Sequence, residues 1–218
     1  MTVRSIPNFI TTLRLFLVPL FVITLLNPTD IFRYVAACIF VFAAITDYLD
    51  GAIARHYSAI SNFGKLFDPL ADKLLVMSGL IMLCSMKLDQ YGLPCRPGDS
   101  CVLGESWVPS WMVILILSRE FWVTGVRAVA AERGIILGAG SGGKLKSFLQ
   151  MIAIPLVLVH DIEIVIPFSS ANTSCYIAGL YLLFFSVIVS YWSAIEYTFA
   201  IFGADRAPSS AIPEEPKS

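Results

Sequence analysis

Four aspartates set at helical intervals carry the strongest chemical signal in this sequence. Asp47 and Asp50 stand three apart, Asp68 and Asp72 four apart, and eight residues separate Arg55 from Gly64. On helices, spacings of three and four put side chains on one face. Two such faces brought together would converge four carboxylates, and their mutual repulsion demands compensation. One or two hard divalent cations, which take oxygen ligands, would supply it. A pair of such ions can clamp a phosphoryl group between attacking and leaving oxygens. Gly51 and Gly64 remove side chains beside the acids and admit a bulky ligand to the backbone; Gly64 is equally explained as a turn residue. Arg55 suits a phosphate as a bidentate donor. The blander account is an ion-paired helix boundary facing water, but four regularly spaced acids with intervening glycines exceed what a boundary requires.

Two further polar groups accompany the aspartates. Arg127 closes one apolar stretch and Lys144 and Lys146 open the next, forming a cationic pocket suited to an anionic second substrate. Arg119 and Glu120 lie two turns deeper than Arg127, where partners inside a helix bundle could pair them. The alternative is that these cations only mark the basic side of a membrane protein. Near the start of the chain, Asn8, Thr11 and Arg14 recur in steps of three and share a helical face. That face either looks into a polar cavity or consists of helix-end groups with a snorkelling Arg14. The run Gly138-Ala-Gly-Ser-Gly-Gly143 lacks the spacing of a phosphate-binding P-loop and reads as a mobile connection.

The elements that must position these residues are long and apolar. Of 218 residues, 57% are hydrophobic and 14% charged, against about 25% charged in soluble domains. A mean hydropathy of +0.77 places the chain among integral membrane proteins. The net charge of −1 excludes a strongly basic nucleic-acid binder. Six spans are expected, near residues 8–26, 32–54, 64–86, 109–133, 144–159 and 173–202, each long enough for the hydrocarbon core or nearly so. The last exceeds what a bilayer needs and should tilt or protrude. The first has basic residues before an apolar run but no small-residue cleavage site, so it reads as a retained span. The fold class is therefore all-α integral membrane, with a membrane domain over 1–203 and a Pro/Ser/Glu-rich disordered tail over 204–218. Arg4, Arg14, Arg55, Lys65, Lys73, Arg127, Arg133, Lys144, Lys146 and Arg206 fall on one side of these spans. Arg33, Lys87 and Arg96 fall on the other. The first side is cytoplasmic by the positive-inside rule, which puts both termini and a polar active-site cavity there. Cys95 and Cys101 bracket part of the hydrophilic loop over 88–108, where a small disulfide and two free thiols are both open; no CxxC pair suggests a zinc or redox site.

The aspartate stretch resembles the signature of the CDP-alcohol phosphotransferase family, Asp-x-x-Asp-Gly-x-x-Ala-Arg, eight residues, then Gly-x-x-x-Asp-x-x-x-Asp. Every fixed position is matched, at Asp47, Asp50, Gly51, Ala54, Arg55, Gly64, Asp68 and Asp72. Ile6–Arg14, Asp68–Lys73, Ser118–Glu120 with Gly125–Arg127, and Gly143–Ser147 extend the resemblance to the bacterial phosphatidylglycerophosphate synthases within that family. The resemblance implies transfer of a phosphatidyl group from CDP-diacylglycerol to sn-glycerol 3-phosphate, with release of CMP. It implies that Asp47, Asp50, Asp68 and Asp72 bind two divalent cations, Mg²⁺ or Mn²⁺, and that Asp72 is also the general base. Gly51, Ala54, Arg55 and Gly64, with Asn8 and Thr11, would line the CDP-lipid site. Arg127, Lys144, Lys146 and Arg119 would hold the acceptor's phosphate. A homodimer in the bacterial cytoplasmic membrane is implied as well. The 88–108 loop is longer than the resemblance accounts for.

Two other functions compete. A related family member would use inositol phosphate, serine or phosphatidylglycerol as acceptor, although two lysines in the pocket favour a phosphorylated one. A divalent-cation transporter could also place acids in spans, but it would be expected to hold them at mid-bilayer with a path to both sides. A non-catalytic membrane scaffold is the third possibility.

Overall fold

Local chemistry marks the helix ends in the computed structural model, which describes residues 6–27, 29–57, 62–88, 106–132, 141–165 and 172–204. Within these, the side chains of 6–11, 47–57, 62–72, 141–142, 144, 164–165, 172–173 and 202–204 lie outside the description. The first helix, α1 (Ile6–Leu25), ends where Asn27 Nδ2 donates to the Ile23 carbonyl at 3.1 Å, satisfying one of the orphan acceptors of a last turn. The second, α2 (Asp30–Tyr57), opens on an acid, which suits the positive end of the helix dipole. It is followed by α3 (Asn62–Ser85), α4 (Ser110–Glu132) and α5 (Ser141–Leu158). The last helix, α6 (Cys175–Ala204), is capped by Ser174, whose Oγ accepts from the Tyr176 amide at 3.3 Å.

These helices follow the six expected spans to within about three residues at each end, which is the ordinary uncertainty of helix boundaries. Two differences stand out. Helix α5 takes in Ser141 to Gly143 from the glycine-rich run, so only part of that run is left to connect. The segment expected as a plain loop after α5 carries a short antiparallel ladder, with β1 (Glu163–Val165) paired to β2 (Asn172–Ser174) in the register Glu163 to Ser174 and Val165 to Asn172. The fold remains all-α, with this ladder confined to one connection. Alternation over three residues is too short to show as a strand pattern. The tail beyond Ala204, the Cys95–Cys101 loop and most of the glycine run lie outside the described residues.

The core is made where α5 lies along α6, α1 along α2 and α3, and α4 along α6. Phe21, Phe40, Leu80, Leu83, Ile154 and Leu183 are fully buried there. The Phe21 and Phe40 rings meet at a centroid distance of 5.6 Å, within the favourable range for aromatic pairs. Helices α5 and α6 touch almost backbone to backbone. A Cβ on Gly179 would sit 2.6 Å from Val157 Cγ2 and 3.0 Å from the Ala153 carbonyl oxygen. Small residues at such crossings are the usual device of helix association in lipid.

At the end of the bundle away from the aspartates, Arg33 ties three connections together. Its guanidinium pairs with Asp161 and, at 3.1 Å, with Asp30. It also lies 5.9 Å from the Trp107 ring centroid. Trp107 packs edge-on against His160 and donates from Nε1 to the Lys87 carbonyl at 2.7 Å. Tyr176 Oη donates to the Trp107 carbonyl at 2.8 Å. The α1–α2, α3–α4 and α5–α6 connections are thus clamped at one end, leaving the other end for chemistry.

Candidate active site

The aspartate signature falls on two helices. Asp47, Asp50, Gly51, Ala54 and Arg55 all fall in the last turns of α2, and Gly64, Asp68 and Asp72 in the first turns of α3. The two helices are consecutive and touch. On continuous helices the three- and four-residue spacings place each pair of acids on one face. Their side chains, with those of Asn8 and Thr11 on α1 and Lys144 on α5, lie outside the described residues. Among the described residues no group of three His, Cys, Asp or Glu side chains gathers. Brought together, four carboxylates would be a hard, oxygen-only donor set of the kind that could hold Mg²⁺ or Mn²⁺.

One residue beyond Asp72, the description resumes with Lys73. Its Nζ donates to Thr124 Oγ1 on α4 at 2.6 Å, and Thr124 in turn donates to the Glu120 carbonyl at 2.7 Å. Lys73, Glu120, Lys146, Ser147 and Gln150 line a cavity of about 30 Å³ between α3, α4 and α5. That is room for about two water molecules. The polar wall is built at helical spacing: Lys146 and Gln150 stand four apart on α5, and Lys73 begins the α3 face that continues through Val76, Met77 and Leu80.

Glu120 is the hub of this wall. Its Oε1 accepts from Arg119 Nη1 at 3.0 Å and is paired with Lys146 Nζ. The three side chains are 13%, 5% and 8% exposed. Arg119 also donates from Nε to the Ser190 carbonyl of α6 at 2.9 Å. Behind them, Gln150 Nε2 donates to Ser186 Oγ at 3.4 Å. Charges this deep in an apolar bundle are expensive and persist where they are paired and used.

The structure therefore joins Lys146 and Arg119, two of the expected phosphate-binding residues, through one carboxylate. Arg127 is placed differently. It is exposed two turns further along α4, and its guanidinium lies 5.2 Å from the Tyr197 ring centroid on α6. Arg14 is almost wholly buried within the bundle, which favours the inward-facing reading of the α1 polar stripe over a snorkelling one. On the far side of Arg119, a groove of about 370 Å³ runs between α4 and α6, walled by Trp122, Tyr191, Ile195 and Phe199. Ser118, Arg119 and Thr198 also border it, but most of its lining is apolar. The expectation that Arg119 and Glu120 find partners inside the bundle is met, whereas Gln150 and Ser186 were missed. The available signal was a carboxylate and an amide inside otherwise apolar helices.

Comparison with known proteins gives the family likeness. A family model described as CDP-alcohol phosphatidyltransferase matches residues 4–194. A Bacillus subtilis protein named CDP-diacylglycerol–glycerol-3-phosphate 3-phosphatidyltransferase is 36% identical over 200 residues, covering 86% of this chain and 92% of its own. A Rickettsia typhi protein of the same name is 34% identical over 157 residues, covering 72% and 77%. A Mycobacterium tuberculosis protein named probable phosphatidylglycerophosphate synthase is 38% identical over 160 residues, covering 72% and 67%.

Proposed function

The chain belongs to the CDP-alcohol phosphatidyltransferase family, and we propose that it transfers the phosphatidyl group of CDP-diacylglycerol to sn-glycerol 3-phosphate, giving phosphatidylglycerophosphate and CMP. The names borne by its relatives support this choice of donor and acceptor. The observation that carries the reading is the continuity along α3, where Asp68 and Asp72 run directly into Lys73 and the cavity shared with Lys146. A metal-type acid set and a basic pocket on one helix suit a diphosphate donor beside a phosphorylated acceptor.

In the mechanism, Asp72 accepts the proton of the acceptor's primary hydroxyl. The freed oxygen attacks the phosphorus that bears diacylglycerol, and the bond from that phosphorus to CMP breaks, the electron pair leaving with CMP. Asp47, Asp50, Asp68 and Asp72 would hold two Mg²⁺ or Mn²⁺ ions, which when bound neutralise the diphosphate and the charge of the departing CMP. Arg55 steadies a phosphate of the nucleotide, and Gly51, Ala54 and Gly64, with Asn8 and Thr11, leave room for it. Lys146, with Lys144, holds the acceptor's phosphate, and Arg127, turned to Tyr197, is left at its approach.

The bilayer setting follows the same reading. Among the described residues α6 is the helix long and apolar enough to cross a membrane by length and composition. All six helices nevertheless turn large apolar side chains outward. Examples are Phe16, Ile31 (74% exposed), Ile81, Phe121, Phe148 and Phe199 (73% exposed) on α1 to α6 in order. Such an exterior is suited to lipid rather than water. We therefore take all six helices as spans of the bacterial cytoplasmic membrane, with both termini and the acids inside; the family resemblance adds a homodimer. Diacylglycerol then stays in lipid while the soluble acceptor arrives from the cytosol.

The test is an acceptor panel. Purified protein in mixed micelles with CDP-diacylglycerol and Mg²⁺ or Mn²⁺ should release CMP when given sn-glycerol 3-phosphate. Release only with inositol phosphate, serine or phosphatidylglycerol would overturn the acceptor. Divalent-cation flux in proteoliposomes without any turnover of the CDP-lipid would overturn the enzymatic reading.

A further inference from the structure

We infer that Arg127 and Tyr197 form an entry station for the acceptor's phosphate: the Tyr197 ring holds the Arg127 guanidinium by its face and leaves the N–H donors open to an oxyanion. The inference rests on the reading above in which a phosphorylated acceptor arrives from the cytosol, and it makes Tyr197 a positioning residue of that site. Glu120, Thr124 and Arg127 stand at i, i+4 and i+7 on α4 and so share one face. Glu120 lines the cavity and Thr124 meets Lys73. Arg127 therefore lies on the cavity side of α4, about 10 Å further along the helix axis than Glu120. It is exposed, at the end of α4 that the same reading turns to the cytosol.

The two arginines of α4 differ in what they have left to give. Arg119 is buried, with Nε committed to the Ser190 carbonyl and Nη1 to Glu120. Arg127 has the Tyr197 ring, with the centroid 5.2 Å from its guanidinium carbon, and no carboxylate or carbonyl partner among the described residues. A ring face attracts a cation without using any N–H group, so the planar fork of Arg127 stays available for bidentate contact with a phosphate. An arginine loose in water gives up rotamer freedom when it meets an anion. The ring has already removed part of that freedom, so capture costs less. A cation at such a rim acts chiefly on encounter and on salt dependence. A phosphate caught at Arg127 then has only the Thr124–Glu120 face to follow before it reaches the cavity that Lys146 lines.

Calorimetry of phosphate binding to the purified full-length protein in micelles tests this, with inorganic phosphate, sn-glycerol 3-phosphate and glycerol as probes. Tyr197→Leu should weaken binding of both phosphates about two- to fivefold, the range of an exposed cation–π contact. Tyr197→Phe, which keeps the ring, should bind them as the native protein does. Arg127→Gln should weaken binding and flatten its dependence on salt. Adding Tyr197→Leu to Arg127→Gln should cost nothing further, because the ring acts only through the guanidinium. In turnover, Tyr197→Leu should raise the KM for glycerol 3-phosphate by the same factor and leave kcat and the KM for CDP-diacylglycerol unchanged, a split that a loosened bundle would not give. Tyr197→Met, which keeps bulk and removes the ring, serves should Tyr197→Leu not fold. Glycerol should not distinguish any variant from the native protein. Unchanged or tighter phosphate binding in Tyr197→Leu, an equal loss in Tyr197→Phe, or additive losses in the double variant would overturn the inference. Competition by phosphatidate placed in the micelle would give Arg127 to a lipid headgroup and overturn it as well. The inorganic-phosphate arm needs no turnover. Should it behave as described while glycerol 3-phosphate supports no CMP release, the entry station stands and the acceptor assignment falls.

Discussion

Proton transfer and metal ligation both fall on Asp72 in the proposed mechanism, whereas Asp68 serves the metals alone. Asp72→Asn should lower kcat for CMP release by about 10²–10⁴-fold, the usual contribution of a general base, and added metal should not restore it. Asp68→Asn should be partly recovered by higher Mg²⁺ or Mn²⁺. Chelation should silence the native protein until either ion is returned. Lys144→Ala should raise the KM for glycerol 3-phosphate while leaving that for CDP-diacylglycerol near its native value. Steady-state assays with each substrate varied in turn separate these outcomes. At this scale the sequence was informative about the acids because their spacing is local: three and four residues define a helix face wherever the helix lies. It placed Glu120 among partners inside the bundle but did not name Lys146, which lies on another helix. Pairing across helices depends on which faces meet, and no spacing within one segment records that.

The six helices were legible to within a few residues because lipid-length apolar runs punctuated by Asn27-Pro28, Pro109 and polar connections leave few alternatives. How closely they approach was not legible. Gly179 looks unremarkable in an apolar run, yet it is where α6 lies against the Ala153 carbonyl and Val157 of α5. Gly179→Ala should cost about 1–3 kcal/mol through forced separation of the two helices, read as earlier thermal unfolding in detergent. Native-like unfolding would mean that the helices can part without loss. Arg33 teaches the same lesson at the opposite end. In the sequence it counts only as a cation on the minority side, whereas in the fold it draws Asp30, Asp161 and Trp107 into one clamp. The short β1–β2 ladder beside it was invisible because three residues cannot display a period.

For the molecule as a whole, orientation is the property most open to direct test. With the five native cysteines removed, Glu132→Cys at the end of α4 should be shielded from an impermeant maleimide in intact cells. Thr29→Cys before α2 should react. The reverse pattern would invert the topology and move the acids away from cytosolic substrate. The sequence by itself determined the class of environment, the six helices, the signature that marks the family and the end of the bundle that bears the acids. Each of these is written in composition or in spacing within a single helix. Only the tertiary structure decided that Lys146 and Arg119 share Glu120, that Arg127 turns to Tyr197 on α6, and that Lys73 reaches α4 through Thr124. Those facts depend on helix rotation and separation, which are set by close contacts such as Gly179 against α5 and by buried charges finding partners. Residues far apart in the chain acquire a joint chemistry only once those rotations are fixed.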